Sequence, residues 1–243
     1  MSRLLAIDAG NTRIKWGLRE GAAWSSLGSI ATAEAAALSA SLATHGTVTR
    51  AIAANVAGAQ VELELSRACA QLGAKLEVVR PAARSGDLSN GYRDPGQLGP
   101  DRWAALVAAR GAGAGPKVVA TAGTALTVDA LSGSGAFLGG LIVPGPALMR
   151  RALTSGTAGL RDTEGRFTDF PASTPDAITS GAIQACVGAI LRMVESLERR
   201  EGSRPALVLS GGAASEIAPH LAMAHEVREN LVLEGLVRLA EAG

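Results

Sequence analysis

At 243 residues, with a net charge of +1, the chain can form one large domain or two of ordinary size, and it carries no basic or acidic run that would predict binding to nucleic acid or to a membrane surface. Its two cysteines, Cys69 and Cys186, are far apart and lack disulfide or zinc spacing, which predicts buried free thiols in a reducing compartment. The first residues enter a strand without a charged leader, and no window reads as apolar for long enough to span a bilayer, so a soluble cytoplasmic protein is expected.

Leu4-Leu5-Ala6-Ile7 is a buried strand that delivers Asp8 to its end. Ala9-Gly10-Asn11-Thr12 follows as a tight turn, where Gly10 permits positive φ and backbone amides are left to face an anion. Ile14, Trp16 and Leu18 then alternate with Arg13, Lys15 and Gly17, the period of a strand with one buried face. A third strand is expected over Ala23–Ile30, and a helix over Thr32–Ala43 with Thr32 as its N-cap. Further along, Val48–Asn55 reads as a strand, Gly58–Leu72 as a helix closed by Gly73, and Lys75–Val79 as a strand. Three meandering strands feeding alternating helices and strands predict an α/β unit.

Ala82–Pro100 breaks this rhythm. It is rich in Gly, Pro, Asp and Asn, has no apolar period long enough for an element, and reads as a functional loop. Pro100 can open the next helix, with Asp101 in its first turn, and that helix runs through Leu106 and Val107 to Arg110. Gly111 to Pro116 is a linker, which places the domain boundary between residues 113 and 114.

Past the linker the opening pattern returns. Val118–Thr121 is a strand, Ala122-Gly123-Thr124 a turn, and Ala125–Leu131 a second strand. Phe137–Val143, a helix after Pro144-Gly145-Pro146, and a long helix from Thr174-Pro175-Asp176 to about Arg200 follow. Leu207–Leu209 leads into Ser210-Gly211-Gly212, and a strand near Val227 and a helix over Leu231–Ala240 close the chain. Two halves that begin alike predict a duplicated α/β fold, residues 1–113 and 114–243, with a phosphate-holding turn in each half and a cleft between them that suits ATP.

Asp8-Ala9-Gly10-Asn11-Thr12, Tyr92 followed by Pro95, Leu98-Gly99-Pro100-Asp101-Arg102, Gly123-Thr124-Ala125 and Gly139-Gly140…Pro144-Gly145 stand in an order that resembles the type III pantothenate kinases, a family that includes the Bvg accessory factors. The resemblance covers nearly the whole chain. It implies duplicated ribonuclease H-like domains of the actin-like ATPase kind with an inter-domain cleft. It also implies ATP-dependent phosphorylation of pantothenate to 4′-phosphopantothenate, the first step of coenzyme A biosynthesis, by a homodimer. Carried over by position, Asp8, Ala9, Gly10, Asn11, Thr12, Arg13, Ile14, Lys15 and Thr124 match ATP contacts. Tyr92, Gly99, Pro100, Asp101, Arg102 and Thr174 match pantothenate contacts, and Asp101 matches the proton acceptor. Asp8 would act on the Mg²⁺ of Mg²⁺-ATP through water, with no dedicated metal cage. Thr121 departs from the pattern. It stands where many members carry an aspartate associated with a monovalent cation, K⁺ or NH₄⁺.

Each of these residues has a plainer role open to it: Asp101 can complement a helix dipole, Thr174 can cap a helix, Tyr92 can pack the loop, and Arg102 can pair with a carboxylate. Two other functions are open to the same fold. A non-catalytic nucleotide-binding regulator of gene expression would be favoured by loss of Asp101 or Arg102, and both are present. A nuclease would need a carboxylate cluster for two metals, and the strand ends offer Asp8 and little else. His45, His220 and His225 read as surface residues.

Overall fold

Alternation in the first twenty residues builds the hairpin on which the first sheet is assembled. Strand β1 (Leu4–Ala9) pairs antiparallel with β2 (Arg13–Glu20), and β2 with β3 (Ala23–Ala31). On the other side β1 pairs parallel with β4 (Arg50–Asn55), and β4 with β5 (Lys75–Val78). The order is β3-β2-β1-β4-β5. The computed structural model describes residues 3–43, 48–156 and 165–242. They fall into two units, Met1–Ala112 with Leu231–Gly243, and Gly113–Asn230.

In the first unit, Leu5, Ile7, Ala9, Ile14, Trp16 and Leu18 bury one sheet face. Helices α1 (Leu38–Leu42) and α2 (Ala59–Gln71) cover it with Leu38, Leu42, Leu65 and Cys69. The expected single helix over Thr32–Ala43 is a 3₁₀ segment, Thr32–Ala37, that passes into α1, and Thr32 does not cap it. Gly73 ends α2 as expected, in the left-handed conformation at φ +73. The stretch read as one loop contains a small hairpin, β6 (Arg84–Ser85) with β7 (Leu88–Asn90), and a 3₁₀ turn over Pro95–Gln97. Strands of two and three residues are too short to show a hydrophobic period. Helix α3 (Pro100–Gly111) follows, with Trp103 and Leu106 fully buried.

In the second unit, β8 (Lys117–Ala122) pairs antiparallel with β9 (Ala125–Leu131), and β9 with β10 (Ala136–Pro144). Helices α4 (Pro146–Gly156) and α5 (Thr174–Glu201) lead to β11 (Ala206–Ser210), which lies parallel to β8. Helix α6 (Ala214–Ile217) then precedes β12 (Glu226–Val227), parallel to β11. The strand order β10-β9-β8-β11-β12 repeats that of the first unit element for element. Helix α5 holds an 18-residue window apolar enough to cross a membrane, contrary to the reading of the sequence. Its Cys186, Ile190, Val194 and Leu197 pack into the core of this unit against Val118, Val128 and Leu209, as an Ala-rich core helix does.

The last helix, α7 (Leu231–Ala242), belongs by its contacts to the first unit. Its Leu231, Leu233, Leu236 and Val237 are buried, and it packs on α3 and on the second face of β1 and β4. Seven buried residues in a helix of twelve are what a sheet face still lacking a cover requires.

Candidate active site

The β1–β2 register puts Asp8 directly opposite Lys15. The β1–β4 register ends Ala9 beside Asn55, and the amide of Val56 donates to the Ala9 carbonyl at 3.0 Å. Asp8 therefore sits at the carboxyl ends of two parallel strands, where the twist of an α/β sheet opens a crevice. Burial pushes its carboxyl up from its ordinary 3.8 to about 7; the charge of Asp101 adds to the rise, and the Lys15 ammonium opposes it. Two carboxylates brought within each other's field, with one ammonium across the strand, form a place that gains from a cation.

The turn after β1 is more tightly tied than its sequence suggests. Gly10 does not take a positive φ. Its amide donates to the Arg13 carbonyl at 3.0 Å, so this N–H is not left to face a ligand, and an added Cβ would sit 3.3 Å from that same oxygen. Thr32, read as a helix cap, instead donates its hydroxyl to the Gly10 carbonyl at 2.7 Å and its amide to the Thr12 carbonyl at 3.0 Å. Asn11, Thr12 and Arg13 are exposed, and the Arg13 guanidinium donates to Ser29 at 2.6 Å. Ala9 and Ile14 are core residues, so they can offer a ligand only backbone groups.

The loop before α3 is built on Asn90, a residue the sequence reading passed over. Its carboxamide donates to the carbonyls of Ala82 and Pro95, at 3.3 and 3.2 Å, and accepts from the Tyr92 amide at 3.1 Å. An asparagine next to a glycine in a Pro-rich loop was the available signal. Asp94 accepts from the Gly96 amide at 3.0 Å. Tyr92 is thereby held so that its hydroxyl accepts from the Arg102 guanidinium at 2.9 Å, which also lies 5.6 Å above the Tyr92 ring. Arg102 is only 5% exposed, so its guanidinium is a fixed part of the loop floor. Asp101 occupies the first turn of α3, and its carboxylate folds over Gly99, where a Cβ would meet Oδ1. Tyr92, Gly99, Pro100, Asp101 and Arg102 thus form one cluster, and Asp101 reaches Asp8 electrostatically across ninety-odd residues of chain.

Thr124 and Thr174 lie in the second unit, and both are exposed. The Thr124 turn is gripped from two sides. The Gly145 amide donates to the Thr124 carbonyl at 2.8 Å, and a Cβ on Gly145 would collide with the Gly123 carbonyl. Gly211, at φ +95, packs so closely that its Cβ would collide with the Ala122 carbonyl, and the Ala213 amide donates to that carbonyl at 3.0 Å. Thr174 is the first residue of α5, while Ser173 is the cap and accepts from the Asp176 amide at 3.3 Å. Thr174 is free of the capping duty read into it.

Thr121 pairs with Thr127 on one side and with Ser210 on the other. The buried hydroxyl of Thr127 has no hydrogen-bond partner. Neutral hydroxyls here attract a monovalent cation less than a carboxylate would. Among the described residues no three His, Cys, Asp or Glu side chains cluster as a metal cage would need. Asp8 and Asp101 fit a Mg²⁺ that keeps its water shell and arrives with a nucleotide. The thiols of Cys69 and Cys186 are free and buried, and burial pushes both up to about 11, which removes them as nucleophiles. His220 is half-buried against Phe167, their rings 3.6 Å apart, and His225 is half-buried too; His45 lies outside the described residues.

The repeated strand order is that of the actin-like, duplicated ribonuclease H-like fold. A polyphosphate/ATP-glucomannokinase of Arthrobacter sp. strain KM shares this fold at 17% identity and a TM-score of 0.51, with both chains fully covered. A Baf family protein of Campylobacter jejuni, described as a transcriptional activator, shares it at 19% identity and a TM-score of 0.61, covering 98% of this chain and 97% of its own. Residues 4–196 match the sequence pattern of type III pantothenate kinases. The type III pantothenate kinase of Aromatoleum aromaticum is 44% identical over 237 residues, 98% of this chain and 97% of that protein. The chain belongs to the type III pantothenate kinase family.

Proposed function

We propose that this protein transfers the γ-phosphoryl group of ATP to the hydroxyl of pantothenate, giving 4′-phosphopantothenate and opening coenzyme A biosynthesis. The observation that carries the reading is the family match over residues 4–196 together with Asp8 at the end of β1 and Asp101 in the first turn of α3. Phosphoryl transfer is mostly positioning and charge neutralisation, and these two carboxylates divide that work. Mg²⁺ supplies neutralisation of the β- and γ-phosphate charge when bound with ATP. Asp8 holds the water shell of that ion, and Lys15 balances the charge across the strand. The Gly10 and Thr124 turns take the phosphates.

Asp101 accepts a hydrogen bond from the pantothenate hydroxyl, orients it in line, and takes its proton as the new bond forms. Tyr92 and Arg102, locked to each other, present a fixed polar wall to the substrate. Gly99 and Pro100 shape the floor beneath Asp101, and Thr174 adds a hydroxyl contact to pantothenate. The exposed small-residue face of α5, which includes Ala177, Gly181, Ala185 and Gly188, suits burial against a second copy, so a cytoplasmic homodimer is the working assembly. The neutral Thr121 position dispenses with K⁺ and NH₄⁺.

A coupled assay of ADP release with and without pantothenate tests the activity directly. Release that depends on pantothenate supports it. Release that is the same without pantothenate, over a range of Mg²⁺-ATP, would leave a nucleotide-binding regulator as the better reading. Light scattering at micromolar concentration should give twice the chain mass.

A further inference from the structure

The second unit contains an ion pair that the mechanism does not use: Arg150 of α4 with Glu216 of α6, guanidinium Nη1 to carboxylate Oε1. Both side chains are about one-third exposed. The elements they join are the two that hold the Thr124 turn. Gly145 leads into α4: its amide is bonded to Thr124, and its carbonyl accepts from the Met149 amide at 2.9 Å in the first turn of that helix. Gly211 and Ala213 lead into α6 and engage the Ala122 carbonyl; the Ala214 amide donates to the Gly211 carbonyl at 3.1 Å. The turn Ala122-Gly123-Thr124 therefore has one flank fixed by α4 and the other by α6, and Arg150–Glu216 closes the ring on the far side.

The geometry points to Arg150 and Glu216 as positioning residues for the second phosphate turn, a clasp that sets the aperture in which Thr124 meets the nucleotide. Steric fit alone already forbids the turn from moving inward, since Gly145 and Gly211 stand against its carbonyls. Outward, the start of each helix is held to the turn by one backbone hydrogen bond, Gly145 to Thr124 and Ala213 to Ala122. A charge-assisted pair five residues beyond each glycine adds a direct tie between the two helices. Its loss would loosen the grip on phosphate without touching Tyr92, Gly99, Pro100, Asp101 and Arg102, the pantothenate contacts of the first unit. This role rests on the reading of the Thr124 turn as an ATP contact.

The test compares Arg150→Ala, Glu216→Ala and the charge swap Arg150→Glu/Glu216→Arg with the native enzyme. The readouts are KM for ATP, KM for pantothenate, and calorimetric affinity for a non-hydrolysable ATP analogue with Mg²⁺. Each single variant should raise KM for ATP and weaken analogue binding by roughly three- to tenfold, the scale of a partly exposed charge-assisted contact. KM for pantothenate should stay within twofold, and the swap should recover most of the loss. Arg67→Ala, which breaks the Arg67–Glu64 pair on α2, should change neither constant. Single variants that bind the analogue like the native protein overturn the clasp, as does a swap no better than the singles. A Thr124→Val arm separates the two failures: an unchanged ATP constant there refutes the turn as an ATP contact, whereas a raised one with silent Arg150 and Glu216 variants refutes the clasp alone.

Discussion

The two units lay the same five strands in the same order and yet place opposite chemistry at the same spot. Asp8 is the penultimate residue of β1, and Thr121 is the penultimate residue of β8. The neighbours in register are Lys15 and Ala54 for Asp8, and Thr127 and Ser210 for Thr121. One sheet thus ends in charge, the other in hydroxyls and closely packed glycines. A duplicated fold supplies two equivalent crevice positions, and these sequences have divided the work. The first unit carries the carboxylates to which the proposed transfer assigns the cation and the proton, and the second carries the closely packed turn.

The largest effect should come from the charged side of this comparison. Asp101→Asn keeps size and helix start but removes the proton acceptor, and kcat should fall by roughly 10²–10⁴-fold with little change in ATP affinity. A variant with most of its turnover would reduce Asp101 to a charge at a helix terminus.

The next concerns the stability of the sheet that ends in charge. Asp8 has its folded value raised to about 7 from 3.8. Between those values the folded state keeps a proton that the unfolded state has released. Stability contributed by the protonated form is therefore full below about pH 4 and is lost as pH rises to about 7. Asp8→Asn escapes this loss. Without nucleotide its Tm should exceed that of the native protein at pH 8, by an amount corresponding to a few kcal/mol at most, and the gap should close towards pH 4–5. Two Tm profiles that run parallel from pH 5 to 8 would show that the carboxyl is better solvated than its surroundings imply. Added Mg²⁺-ATP should narrow the gap at pH 8 by stabilising the native carboxylate.

On the neutral side the effect is steric. Gly145→Ala forces a methyl group against the Gly123 carbonyl, and a cost of about 1–3 kcal/mol is expected from chemical denaturation. Gly10→Ala, with 3.3 Å of room, should cost clearly less; equal losses would erase the distinction between a shaped turn and a charged one.

The smallest effect tests what the hydroxyls at Thr121, Thr127 and Ser210 leave out. Turnover in K⁺ and in Na⁺ buffers of matched ionic strength should agree within about twofold, because no carboxylate attracts the ion there. Thr121→Asp should introduce a K⁺ dependence. Saturable K⁺ activation of the native protein would show that backbone carbonyls do the same work.

Much of this arrangement was legible in the residues. A short apolar run gave β1, alternation gave β2 and β9, and the repeated strand–turn–strand pattern gave the duplication, because a half-buried strand writes its period directly into the sequence. Asp8, Asp101, Tyr92 and Arg102 stood out through motif order. What was missed depends on contacts between distant residues. Thr32 looked like a cap and proved to be a tie on the Gly10 turn, since a hydroxyl next to a helix serves whichever carbonyl lies nearer. Asn90 gave only a turn signal, and its three bonds to the loop follow from how the loop folds back. The reach of Gly145 and Gly211 to carbonyls near residues 122–124 has no local signature at all.

The place of α7 has a consequence in time. The chain leaves the ribosome with β1 to α3 complete, but the helix that covers the second face of β1 and β4 is made only after the whole second unit. At bacterial elongation rates that is a delay on the order of ten seconds. Through it Ala6, Ile52, Trp103 and Leu106, all fully buried in the finished protein, lie under no final cover. Gly235 then docks so tightly on α3 that even a methyl group would meet the Ala104 carbonyl, so the late-arriving helix has a single seat. The second unit is in a position to fold first, although it is written second, and the half that carries Asp8 and Asp101 is completed last.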